Sequence, residues 1–279
     1  MEAFRCRVTA QASGILFPEL AACADSGRYF LHIPKTAGTS TNRFFDNLGL
    51  HANTWLWDQM AHLERTGCPV HTAFYSGHFH MHLEPYLGRK LTRLTMLRDP
   101  VARTISHYQH VRRHPQHPAH DIAQHMDLKE FCINPRTRHM VENYQARYLV
   151  DFGLDPRSLG AVCTQEDLSN YLLQDMLEKI TRGVVAPDLL YAAAAENLNS
   201  FAAVGTTEEF PVTMERFAAA LGFQPPPRFD ERHNTAGNSL SPSDLDADTL
   251  GAVCQATEVD QALHRLVQSQ SVPSPSSTS

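Results

Sequence analysis

The alternation of apolar and polar positions predicts strands and helices that take turns along most of the chain. Residues 29–33 are a short apolar, aromatic and β-branched run, as a buried strand requires. Pro34 ends it, residues 35–38 make a small-residue turn, and Thr39 opens a helix carrying Phe44, Phe45 and Leu48 on one face. A second strand is expected over 69–75, ending in Ser76, Gly77 and His78. A third is expected over 91–97, ending at Arg98. Asp99 then serves as N-cap and Pro100 as first residue of a helix that runs to about Arg113. Pro115 and Pro118 break the pattern into a loop over 114–120. Helical periodicity returns at about 138–150, 166–182, 187–199 and 211–221, with a late strand over 201–205 and a final amphipathic helix within 242–268. Residues 54–67 read as a helix or lid whose Trp55 and Trp57 suit core packing better than sugar stacking.

Alternating strands and helices imply an α/β fold with a mostly parallel sheet flanked by helices, and ligands at the carboxyl ends of the strands. Three segments fall at such ends, 34–40, 76–78 and 98–106. Residues 28–268 are expected to form one domain. Residues 1–27 read as a peripheral segment, 225–238 as a loop, and 269–279 as a Ser/Pro-rich disordered tail.

Composition narrows the function. With 42% hydrophobic and 19% charged residues, the chain reads as a globular protein with a substantial core. A net charge of −6 argues against a nucleic-acid partner, which would need a basic excess. A local basic pocket is still available from Arg89, Lys90, Arg93, Arg98, Arg103, Arg112 and Arg113. The six cysteines form no Cys-x-x-Cys pair, so reduced thiols are expected rather than a zinc ribbon or a disulfide scaffold. No leader pattern or run of about 20 apolar residues is present, which predicts no membrane span and either a cytoplasmic location or a trimmed catalytic domain.

A strand, a Gly-containing loop and a helix together aim backbone N–H groups and a positive helix end at a phosphate. Lys35 adds a mobile charge, and Thr36, Thr39 and Ser40 add hydroxyl donors. This is not a Walker A loop, because Lys35 precedes Gly38 instead of following it. The full string Ile33-Pro-Lys-Thr-Ala-Gly-Thr-Ser40 closely resembles the 5′-phosphosulfate loop of sulfotransferases that use 3′-phosphoadenosine 5′-phosphosulfate (PAPS). It is closer to the carbohydrate enzymes of uronyl 2-O and hexosyl 6-O type than to the phenol and steroid enzymes.

The resemblance implies a P-loop-like sulfotransferase fold with PAPS as co-substrate, no metal requirement, and Lys35, Thr36, Ala37, Gly38, Thr39 and Ser40 around the 5′ end. Arg98-Asp-Pro, with Ser106 eight residues after the Arg, resembles the family's 3′-phosphate site. Asp99 could mimic a Walker B carboxylate, but its place before Pro100 favours capping. Lys35 would offset charge on the leaving phosphate, and His78 resembles the family's base. His80, His82 and Glu84 are alternatives, and the run 78–82, read as extended, would place three imidazoles on one side, which is also metal-ligand chemistry.

Asn143, Gln145 and Arg147 look like the family's Asn-x-Gln-x-Arg-x-Leu element, with Arg147 the expected substrate contact. His80 and Glu84 join it as weaker substrate-binding candidates. Residues 204–208 resemble an architectural segment, and Arg232-His-Asn234 a loop over the adenosine. His114, His117, His120 and His125 read as a solvated loop. The expected activity is sulfuryl transfer from PAPS to a hydroxyl acceptor, a sugar of an oligosaccharide, polysaccharide or glycoconjugate. A P-loop-like kinase and a nucleotide-binding module without catalysis are the alternatives.

Overall fold

The computed structural model describes residues 27–51, 62, 65–67, 72–153, 170–223 and 240–271. Among them, four strands pair in the order β2-β1-β3-β4, all parallel: Arg28–Leu31 (β1), Phe74–Gly77 (β2), Thr92–Leu97 (β3) and Ala203–Thr206 (β4). The described helices are α1 (Gly38–Asn47), α2 (Leu83–Leu87), α3 (Pro100–Arg113), α4 (His120–Gln124), α5 (Leu128–Ile133) and α6 (Tyr144–Tyr148). They continue as α7 (Asn170–Thr181), α8 (Pro187–Leu198), α9 (Phe210–Ala220), α10 (Ala247–Ala256) and α11 (Glu258–Ser271). The chain is thus α/β, with a parallel sheet flanked by helices.

The period-2 alternation of strand side chains sorts the core into two layers. Phe30 of β1 and Leu94 and Met96 of β3 pack with Phe44 and Phe45 of α1 and Phe210, Met214 and Phe217 of α9. Tyr29, Leu31 and Leu97 pack on the other face with Leu190 and Ala194 of α8 and Val259, Leu263 and Val267 of α11. Each of these fully buried large side chains contributes about 1.5–3 kcal/mol. A third cluster, built from Val101, Ile105 and Val111 of α3, Phe131 of α5 and Val253 of α10, lies among the helices.

Several expectations shift. Among the described residues the second strand runs Phe74–Gly77, so it excludes Thr72 and Ala73 and extends past 75. Thr72 turns back locally, its N–H donating to the Tyr75 hydroxyl at 2.9 Å instead of to a ladder partner. The helix expected over 138–150 is broken: a 3-10 turn at Arg138–Met140 is followed by Asn143 in the left-handed region (φ 44), and only then by α6. The final helix is two. Its break at Thr257 brings Asp260 to α6, where it accepts the N–H groups of Gln145 (3.0 Å) and Ala146 (2.8 Å). α11 continues to Ser271, so 269–271 belong to the folded unit. α4 and α5 had no counterpart in the hydrophobic pattern.

Among the described residues, no helix is long and apolar enough to cross a membrane. Residues 1–26, Trp55 and Trp57, the start of the expected second strand, Arg232-His-Asn234 and residues 272–279 lie outside the described residues.

Candidate active site at the strand ends

β1 leads into the loop that the sequence singles out. Pro34 offers no N–H to a ladder, so pairing stops after His32, whose N–H still reaches the Gly77 carbonyl at 3.0 Å. Thr36 then closes the turn by donating its hydroxyl to the Ile33 carbonyl at 2.9 Å. Lys35 (φ 73) and Ala37 (φ 60) both sit in the left-handed region. Each such non-glycine residue costs about 1–3 kcal/mol and persists only where its surroundings hold it. Here the holders are two arginines: Arg103 Nε donates to the Pro34 carbonyl and Arg98 Nη1 to the Lys35 carbonyl, each at 3.2 Å.

Gly38 has a separate role. A Cβ there would lie 1.7 Å from His32 Nε2, so the missing side chain is the seat of the His32 ring. The N–H groups of Gly38, Thr39 and Ser40 precede the first intrahelical bond of α1, Thr41 N to Ala37 O at 3.1 Å. Thr39 is exposed and Ser40 buried.

β3 delivers Arg98. Gln145 clasps its backbone in both directions: Arg98 N–H donates to Oε1 at 2.9 Å, and Nε2 donates to Arg98 O at 2.8 Å. Asp99 caps α3 by accepting from Ala102 N at 2.8 Å. Its own N–H donates to Glu208 at 3.1 Å, so the 204–208 segment braces the start of α3. Burial opposes the Glu208 charge, but hydrogen bonds from His264, the Asp99 N–H and Thr207 hold its carboxyl at about 2. Ser106 lies half-buried two turns into α3.

β2 delivers His78, half-buried. Its Nδ1 is 2.6 Å from the His32 carbonyl, which can only accept, so the proton is on Nδ1 and Nε2 carries the lone pair. The His78 and His32 rings lie 4.4 Å apart. Burial lowers His78 to about 4, with the His32 hydrogen bond opposing and Lys35 reinforcing the shift. Lys35 falls to about 8 through burial, then through Arg103, Arg98 and Arg113. His78, His32, Lys35 and Arg98 therefore share one neighbourhood at the carboxyl ends of β2, β1 and β3. Compared with models of known protein families and with curated sequences, the chain gives no match.

Other expected residues sit apart. His80–His82 is a 3-10 turn, not an extended run, because the Tyr29 hydroxyl lies within reach of the carbonyls of Gly77 (3.4 Å) and His80 (3.0 Å) and curls the chain. His80 is only 1% exposed. Glu84 lies at the amino end of β3, accepting from Leu91 N at 2.7 Å and pairing with Lys90 and Arg93. Arg147 is buried and donates to the carbonyls of Glu142 (2.9 Å), Glu178 (2.6 Å) and His139 and to Thr181 Oγ1 (3.0 Å). Its guanidinium braces α7 against α6. The 114–120 stretch is not uniformly solvated, since His117 is buried with its ring 6.3 Å from His107 and 6.4 Å from His110.

His32 is a site residue that motif reading passed over, and Arg103 enters the sequence reading only as one member of a local basic cluster. His32 was visible as the one polar side chain inside an apolar strand run, and Arg103 as a charge on the helix that follows Arg98.

Proposed function

We propose that this chain is a PAPS-dependent sulfotransferase of the carbohydrate type, transferring a sulfuryl group to a hydroxyl acceptor. The observation that carries the reading is the charge environment of Lys35: among the described residues, the charged side chains that act on it are the arginines Arg103, Arg98 and Arg113. Cations gathered around a strained loop and the first turn of a helix favour a polyanion. A nucleotide phosphorylated at both ends would span them, its 5′ end on the 35–40 loop and its 3′-phosphate toward Arg98 and Ser106.

The chemistry follows from the same neighbourhood. The acceptor hydroxyl oxygen attacks sulfur, forming a new S–O bond while the bond from sulfur to the 5′-phosphate oxygen breaks. The hydroxyl proton passes to His78 Nε2, which carries the lone pair because Nδ1 donates to His32 O. Negative charge grows on the departing 5′-phosphate, where Lys35 and the helix N–H groups offset it. A His78 held at about 4 is neutral at pH 7, the form that can accept a proton. The test is transfer of radiolabel from [³⁵S]PAPS to pools of neutral and uronate-containing oligosaccharides. Label on an acceptor supports the reading, and no transfer to any pool together with no nucleotide binding refutes it.

A further inference from the structure

Tyr148, the last residue of α6, has no role in the chemistry above, yet its ring lies beside the imidazoles of His78 and His80. His80 stacks flat on it, with centroids 3.6 Å apart at 18°, and His78 meets it edge-on at 6.5 Å and 88°. The Tyr148 hydroxyl is anchored in turn, 3.1 Å from the Tyr144 hydroxyl, 3.3 Å from Gln174 Nε2 and 3.5 Å from Glu178 Oε1. Tyr144 also donates to Glu178. His80 itself holds a left-handed backbone (φ 53), a conformation that needs support from its surroundings. Part of that support comes from the Tyr29 hydroxyl on the His80 carbonyl at 3.0 Å and the Tyr148 ring on the imidazole.

We infer that His80 and Tyr148 form a stacked positioning pair that fixes the 77–80 turn and thereby aims the His78 imidazole. Burial keeps the His80 ring from meeting a large acceptor directly. Its stack pins the turn two residues beyond His78, while the Tyr148 ring meets the His78 ring at a near-perpendicular angle. A base displaced by about 1 Å can lose about 10²-fold in rate, so a positioning pair of this kind has a large lever. The inference rests on the sulfotransferase reading only for calling His78 a base. The placement of its ring is independent of that.

The test uses ¹⁵N-imidazole NMR of the whole chain together with sulfuryl transfer. His80→Asn suits the left-handed backbone but removes the stack, and Tyr148→Leu removes the other half. Both should lower the fraction of His78 protonated at Nδ1 and reduce kcat about 10²-fold, with KM for the nucleotide unchanged. His80→Phe keeps a flat ring and should retain the wild-type His78 signals. A merely structural pair would change the melting temperature without moving those signals. If Tyr148→Leu does not fold, His80→Asn decides alone. Wild-type His78 signals and rate in His80→Asn would overturn the inference. The NMR result needs no nucleotide, so it stands or falls separately from the proposed activity.

Discussion

Two regions of this molecule bury cations, and they do so on opposite terms. Behind the sheet ends, Arg103 and Arg147 are almost wholly enclosed, and the carboxylates of Glu178 and Asp260 act favourably on both. Their donors meet carbonyls: Met140 O at 2.7 Å for Arg103, and those of Glu142, Glu178 and His139 for Arg147. At the rim, Lys35 is pushed down to about 8 by burial and by arginines. A buried charge without counter-charge costs several kcal/mol; the inner arginines meet carboxylates of the protein, and under the proposed function a bound nucleotide supplies the anion at the rim. Residue type does not separate the two regions, because both are built on cations. What separates them is where the compensating charge comes from.

That contrast can be broken most sharply at His78. His78→Ala should lose about 10²–10⁴ in turnover, the usual worth of a general base, while binding nucleotide almost normally. Near-normal turnover would remove it from the mechanism.

Next, Arg147→Met should lower unfolding free energy by about 3–5 kcal/mol in urea titrations, because it leaves Glu178 and Asp260 unbalanced. Lys35→Met should leave stability unchanged or slightly raised, since it relieves repulsion, yet reduce turnover by about 10² or more. Equal destabilisation by the two variants would erase the distinction between the regions.

A smaller effect is expected in pH dependence. The rate constant kcat/KM should rise as His78 becomes neutral through about pH 4 and fall as Lys35 loses its proton through about pH 8. An alkaline limb near the ordinary lysine value would mean that the arginines do not act on Lys35.

The smallest is in stability against pH. His78 and His117 are held at about 4 and His110 at about 3, chiefly by burial. The unfolded chain therefore binds more protons than the folded one below about pH 6.5, the ordinary imidazole value, and stability should decline as pH drops from there toward 4. A flat profile over that range would show these imidazoles to be solvated.

Much of the frame was legible because it obeys local rules. The apolar runs at 29–33 and 91–97, Pro34 as a stop, and Asp99-Pro100 as a cap and first turn all appear within a residue or two of their expected places. Lys35, Arg98 and His78 were also found together at strand ends, as the alternating pattern required.

What stayed hidden depends on contacts distant in sequence. Nothing near Arg147 announces that its guanidinium is spent on Glu178 and Thr181, more than thirty residues away. Glu84 looked like a neighbour of His78 in sequence, yet the 3-10 turn and α2 carry it to the opposite end of the sheet. The break between α10 and α11 is set by the Asp260 contact with α6, which no helical period encodes. His32 was passed over because a strand position reads as core until Gly38 shows where the ring is seated.

The central claim is that the rim takes its counter-charge from a nucleotide phosphorylated at both ends. Calorimetric titration of the wild-type chain and of Arg98→Ala with adenosine 3′,5′-bisphosphate and with adenosine 5′-monophosphate tests it most directly. The wild type should prefer the bisphosphate, and Arg98→Ala should lose about 2–5 kcal/mol on that ligand while its weaker binding of the monophosphate is spared. Equal affinity of the wild type for both nucleotides, or no binding of either, would contradict it.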